Sequence, residues 1–252
     1  VKIPELEGLI RRRILVNYHV DPLVVQKLIP PPFEPKVHNG FAVAGICLIR
    51  LEQVRPKAMP AFMGLTSENA AHRVAVIWRD GDGAHEGVYI PRRDSNSCIN
   101  QLLGGRVFPG EHNQATFVVI DDGDSVALDA HATDNSMSIS VRGKHAESLP
   151  KKSVFKDMDE ASNFFKVGSL GYSATSHKDH LDGLTLETKE WKVVPFAVES
   201  VSSSYFSDEQ LFPSGSFEFD CALIMRNIEH CWKSAPELST ASCGNCNSAQ
   251  PL

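Results

Sequence analysis

The sequence predicts a mainly β protein, with antiparallel strands curled into a barrel-like double sheet and a few short helices. Three observations lead there. The apolar segments are short and rich in Val, Ile and aromatics, as in RILVNYHV, GFAVAGICLIRL, HRVAVIWR and ATFVVID. Gly and Asp punctuate them, with Gly81-Asp82-Gly83 and Asp121-Asp122-Gly123-Asp124 reading as hairpin turns. Long helices do not alternate with the strands, which argues for antiparallel rather than doubly wound parallel sheet.

Each element follows from local chemistry. The strand pattern resumes after the second turn with SVALDAHATD and SMSISVRG, and later with LTLETKEWKVVPFAVESVSSSYF and SGSFEFDCALIMRNIEHCW. Asp21-Pro22 opens a helix over DPLVVQKLI, with Asp as N-cap and Pro at the first helical position. Asp94 or Ser95 is expected to cap a second helix, SNSCINQLL, ending at Gly104-Gly105. Asp157 caps a third, MDEASNFFK. IPPPFEP is a stiff extended connection. The 252 residues are expected to form a single domain over 1–235, with a flexible tail over 236–252 rich in Ser, Ala, Gly and Asn.

Composition excludes several function classes. The net charge is −6 and the densest basic cluster is Arg11-Arg12-Arg13, so nucleic-acid binding, which needs a broad basic face, is not expected. No run approaches the ~20 apolar residues of a membrane span. No signal peptide is visible, and six sparse cysteines read as reduced thiols; a cytoplasmic location is expected. Cys243 and Cys246, even with His230 and Cys231 upstream, are too few placed ligands for structural zinc, and His177, Asp179 and His180 read as a polar loop. No metal and no cofactor are therefore expected. Ser67 and Ser95 lack a paired base, and Trp78, Trp191 and Trp232 read as core.

The segment SENAAHRVAVIW, followed by EGVYIPRRDSNSCINQLLGGRVFPGEHNQA, resembles the catalytic half of acetoacetate decarboxylase. The resemblance extends over roughly residues 8–232. Arg11 lies ten residues before Asp21, where that family carries its carboxylate-binding arginine, and Glu68 precedes an alternating strand, where it carries an active-site glutamate. Pro109 follows Asp94 by 15 residues, the interval that sets the family register. On that register the family's aromatic-Pro-Lys-Lys motif, whose first lysine forms a Schiff base, falls on Phe108-Pro109-Gly110-Glu111. The resemblance thus implies the branch of relatives lacking the Schiff-base lysine. Such a lysine must be neutral at working pH, which glycine and glutamate cannot supply. Leu149-Pro150-Lys151-Lys152 repeats the motif literally but reads as a solvated turn.

The residues expected at the pocket are Glu68, His72 and His112 as acid/base groups, with Arg11, Arg92, Arg106 and Glu111 binding substrate. His72 joins because strand side chains alternate: if Glu68 faces the cavity, so does His72, unless a bulge intervenes. His112 joins because histidine is the side-chain type naturally suited to proton transfer near neutrality. The alternatives stay open: Glu68 and Arg11 as an ion pair at a barrel mouth, Arg93 and Asp94 as a strand end and helix cap, His112 as a loop residue. The expected function is a small-molecule enzyme for an enolisable carbonyl or keto acid, of isomerase, hydratase or cyclase type, without Schiff-base chemistry. The second possibility is a non-catalytic protein binding the same class of carbonyl or carboxylate ligand. Homo-oligomerisation is expected as well, because an open barrel leaves edges to cover.

Overall fold

The computed structural model describes residues 4–97, 112–175 and 179–240. Its strands in chain order are β1 (Leu6–Val20), β2 (Glu34–Pro35), β3 (Val37–His38), β4 (Phe41–Pro56) and β5 (Leu65–Asp80). They continue with β6 (Gly83–Ser95), β7 (His112–Asp121), β8 (Ser125–Ala132) and β9 (Ser138–His145). The last four are β10 (Leu170–Ala174), β11 (His180–Thr188), β12 (Val194–Ser203) and β13 (Phe217–Ser239). Two helices accompany them, α1 (Pro22–Leu28) and α2 (Met158–Lys166).

Both helices start where their caps predict. The Asp21 carboxylate accepts from the Leu23 amide at 2.8 Å, and Asp157 accepts from the Glu160 amide at 2.9 Å. The expected helix after Asp94 is a correction in part. Asp94 and Ser95 remain in β6, paired with Ala70 and Asn69, and residues 98–105 lie outside the described residues. β13 continues past Pro236 to Ser239, pairing with β11 to its end.

The strands close two rings that share a wall. Neighbouring pairs run β13–β1–β4–β5–β6 in antiparallel register. From β6 the sheet returns to β13 by two routes. One passes through β7, β8, β9 and β12. The other passes through β10 and β11. The mainly β, barrel-like architecture is therefore as the sequence predicts.

The shared wall is buried on both faces. Along β4, Ala44, Ile46 and Leu48 enter one apolar cluster, while Val43, Cys47 and Ile49 enter another. In β13, Ala222 and Ile224 join the first and Leu223 and Met225 the second. Two-sided burial explains why GFAVAGICLI and DCALIM read as continuous apolar runs. The first cluster is completed by β8 and β9, through Leu128, Ala130, Ile139 and Val141. The second is completed by α2, which brings Ala161 and Phe165, and by Leu186 of β11.

Close packing within the wall depends on Gly45, which pairs with Asn17 of β1. A Cβ there would strike the backbone carbonyl of Val16. Gly45→Ala is expected to cost roughly 2 kcal/mol or more by forcing β1 and β4 apart. Urea denaturation measures this; unchanged stability would show that the two strands have room to separate.

Candidate functional site

The side chains expected to meet in one pocket are divided between the two faces of the wall. Glu68 and His72 do share a face of β5, as period-two alternation requires, but it is the packed face. Glu68 is buried and accepts from Arg12 Nη2 at 2.7 Å and from Arg50 Nη1 at 3.2 Å. Arg12, 1% exposed, also reaches Asp121 at 3.1 Å, and Arg226 grips the same carboxylate with two nitrogens at 2.8 and 2.9 Å. These charges bridge β1, β5, β7 and β13 and neutralise one another.

Arg11 is a correction of register. It is the exposed neighbour of Arg12 and bonds Glu52 at 2.7 Å and Asn227 at 2.8 Å. The pairing of β1 with β4 slips between Ile10 and Arg12. The bulge turns Arg11 outward and gives Arg12 the inward place. Counting from Asp21 cannot detect such a slip.

His72 is fully buried, with Nε2 3.1 Å from Ser203 Oγ and its ring against Tyr205. Burial, followed by the charge of Arg92, pulls its pKa down to about 3. It is therefore neutral near pH 7 and a weak base there. Arg92 closes a bidentate pair with Asp94, its contacts between 2.8 and 3.1 Å, and also donates to Ser136 Oγ. Burial raises the Asp94 pKa in spite of that arginine. Lys151 and Lys152 are exposed on a turn. Arg106 and Glu111, with Gly110, lie outside the described residues.

The opposite face of the wall holds a cavity of about 90 Å³. Its walls are largely apolar, and three arginines enter it: Arg13 from β1, Arg73 from β5 and Arg93 from β6. His112 and Asp94 contribute at the junction of β6 and β7. Of the expected residues, His112 is thus placed at this cavity. Sequence reasoning missed the arginines, although each adjoins a residue it chose or weighed: Arg12-Arg13, His72-Arg73, Arg92-Arg93. Alternation assigns neighbours to opposite faces but does not say which face is hollow.

Among the described residues, none of the three arginines pairs with a carboxylate. Arg73 donates to the Asn17 side-chain carbonyl, lies over the Phe165 ring at 5.0 Å, and leaves Nε buried without a partner. Arg93 donates to Ser173 Oγ at 3.0 Å. Arg13 donates to Cys47 Sγ at 3.3 Å. Burial lowers the pKa of both Arg73 and Arg93 to about 10, so both remain charged at neutral pH. Buried charge without a counter-ion is costly, and a bound anion removes that cost. The volume suits a small organic acid rather than a nucleotide or peptide.

A larger open cleft of about 550 Å³ lies near Glu7, Glu187 and Glu229. Its charges are already matched, as in Arg55–Glu7, Lys189–Glu229 and Lys233–Glu187, so it offers less to an anion. Among the described residues, no group of three His, Cys, Asp or Glu side chains is placed to hold a metal. None of the described helices is long and apolar enough to cross a membrane.

Two closed strand rings sharing one wall form a fold that this chain shares with solved acetoacetate decarboxylase-like structures. The chain belongs to the DUF2071 family of uncharacterised conserved proteins, whose pattern matches residues 10–220. It is similar to the acetoacetate decarboxylase of Legionella pneumophila at 14% identity and TM-score 0.57, over 93% of this chain and 88% of that one. It is similar to the enduracididine biosynthesis enzyme MppR at 12% identity and TM-score 0.56, over 96% and 90%. A third likeness is to an acetoacetate decarboxylase-like enzyme of Sphingomonas wittichii, at 12% identity and TM-score 0.53, over 93% and 92%. No curated protein sequence matches the chain. At these identities the likeness establishes the fold.

Two outcomes follow. Glu68→Gln should cost about 2–3 kcal/mol of stability, because Arg12 stays buried with only Asp121 beside it, and should leave anion binding at the cavity unchanged. Denaturant titration and calorimetry separate these effects; lost binding with unchanged stability would return Glu68 to the site. The second outcome concerns pH. His230 is buried and its pKa falls to about 4, through burial and then the charge of Arg13. The folded-state pKa of both His72 and His230 lies below the ordinary value near 6.5. Unfolding between pH ~4 and ~6.5 therefore takes up protons, and their contribution is complete above that range and declines as pH falls. Each ring adds at most about 1.4 kcal/mol per pH unit. His230→Leu should remove about one proton from the uptake at pH 5; an unchanged slope would mean that His230 titrates normally.

Proposed function

We propose that this chain is a small-molecule enzyme that holds a keto acid in the arginine-lined cavity and moves a proton at its enolisable carbon. The observation that carries this is the set of three arginines, Arg13, Arg73 and Arg93, lining one small cavity without a carboxylate partner among the described residues. Guanidinium recognises carboxylate through a planar fork of donors, and the orphan Nε of Arg73 is such a donor. An enolate formed beside these cations is stabilised by the same charge. His112, at the cavity rim, is the proton carrier in this scheme.

Schiff-base chemistry is not part of the proposal. No lysine stands among the described cavity walls, and the segment 98–111 contains none. MppR has been solved with pyruvate and with a condensation product of pyruvate bound, which supports a keto acid as the ligand class. Isomerisation, hydration or dehydration, and cyclisation all begin with the same proton removal. A binding protein without catalysis is the second reading, favoured by one observation. Glu68 and His72 are engaged outside the cavity and Asp94, which lines it, is paired with Arg92, leaving His112 as the acid/base group.

Solvent deuterium exchange into the pyruvate methyl group, followed by NMR, separates the two. Exchange that disappears in His112→Gln supports the enzyme; saturable binding without exchange supports the binder. Arg73→Met should weaken pyruvate binding by at least ~10-fold, while raising the melting temperature of the unliganded protein through loss of an uncompensated charge. Undiminished binding in this variant would remove the cavity from the proposal.

A further inference from the structure

The cavity also holds a thiol that the proposed proton transfer does not use. Cys47 projects from β4 to the hollow side of the wall and lines the cavity. Its sulfur accepts from Arg13 Nε at 3.3 Å. Arg73 and Arg93 line the same cavity as the sulfur. A second observation lies beside it: Arg73, which lines the same cavity and is only 5% exposed, has an Nε that is buried without a partner among the described residues. The other described cavity-lining polar groups are guanidinium, imidazole, carboxamide, carboxylate and the Trp232 indole, so Cys47 supplies the soft nucleophile.

We infer that Cys47 is a covalent-capture site for small carboxylates bearing an electrophilic carbon, held in place by Arg13, Arg73 and Arg93. The inference rests on the reading of the cavity as a carboxylate site and adds a nucleophile to it. With a 2-keto acid, the carboxylate docks on the guanidiniums and the ketone carbon lies beside the sulfur. A C–S bond forms as the C=O π bond opens, and the thiol proton ends on the new hydroxyl. The product is a hemithioketal, formed without oxidant or reductant and reversible by the same path. The rate advantage comes from proximity, because the arginines turn a collision into a positioned encounter.

Iodoacetate and iodoacetamide provide the test, since they differ only in the charge that the arginines recognise. In each, a C–S bond forms, a C–I bond breaks, and iodide leaves with the thiol proton passing to solvent. Ordinary exposed thiols react faster with the neutral reagent. Peptide mapping should show Cys47 reversing that order, with iodoacetate favoured by ~10-fold or more. Cys231, outside the cavity, serves as an internal reference. Arg73→Met should abolish the preference, and pyruvate should protect Cys47.

A Cys47 that is unlabelled, or that prefers iodoacetamide as Cys231 does, overturns the inference. Thermal shift with pyruvate on the wild type and on Cys47→Ser keeps this failure separate from that of the carboxylate site. A shift in both, without selective labelling, leaves the carboxylate site standing and removes the thiol. Absence of a shift in the wild type removes the carboxylate site, and with it the capture.

Discussion

The shared wall β13–β1–β4–β5–β6 is the constraint on which the rest of the structure depends. A strand sends successive side chains to opposite faces, so a wall buried on both sides must satisfy two interiors at once. Apolar residues meet this easily, as Val43 and Ala44 do. Charged neighbours do not. Arg12 and Arg13 are adjacent in sequence but belong to different chambers, as are His72 and Arg73, and the electrostatics of the molecule follow from how each chamber treats its share.

On the packed side each arginine meets a carboxylate. Arg12 finds Glu68 and Asp121, Arg226 finds Asp121, and His72 is neutral because burial leaves it no other state. A buried ion pair of this kind adds little net stability over an apolar pair, but losing one partner is expensive, so the network resists change. On the hollow side the accounts stay open. Arg13, Arg73 and Arg93 have neutral partners, namely a thiol, a carboxamide and a hydroxyl. Such an arrangement is stable enough to fold because the wall and α2 supply ample apolar burial around it. It also creates a standing preference for an anion, which is the physical basis of the proposed function.

Much of the fold was legible because its signals are local. Asp21-Pro22 and Asp157 cap helices through their own neighbours, and Gly-Asp clusters turn hairpins without reference to distant strands. The pairing of Glu68 with His72 on one face was legible for the same reason. Two things were not. The slip between Ile10 and Arg12 depends on how β1 meets β4, so no spacing within β1 reveals it, and Arg11 was chosen where Arg12 and Arg13 hold the inward positions. Which face of β5 borders empty space depends on β10, β11 and α2, which begin 78 residues or more after β5 ends (158 − 80 for α2). The family resemblance carried the fold correctly, but the glutamate it highlighted belongs here to the neutralised chamber.

The central claim is that the arginines of the hollow chamber, which have no carboxylate partner among the described residues, attract an anion. The most direct measurement is anomalous diffraction from crystals soaked in sodium bromide, a probe that reads charge without assuming any chemistry. The account predicts a bromide peak within hydrogen-bonding distance of Arg73 and of at least one of Arg13 and Arg93, and none beside Arg12. Bromide confined to surface lysines, with none beside Arg13, Arg73 or Arg93, would contradict it.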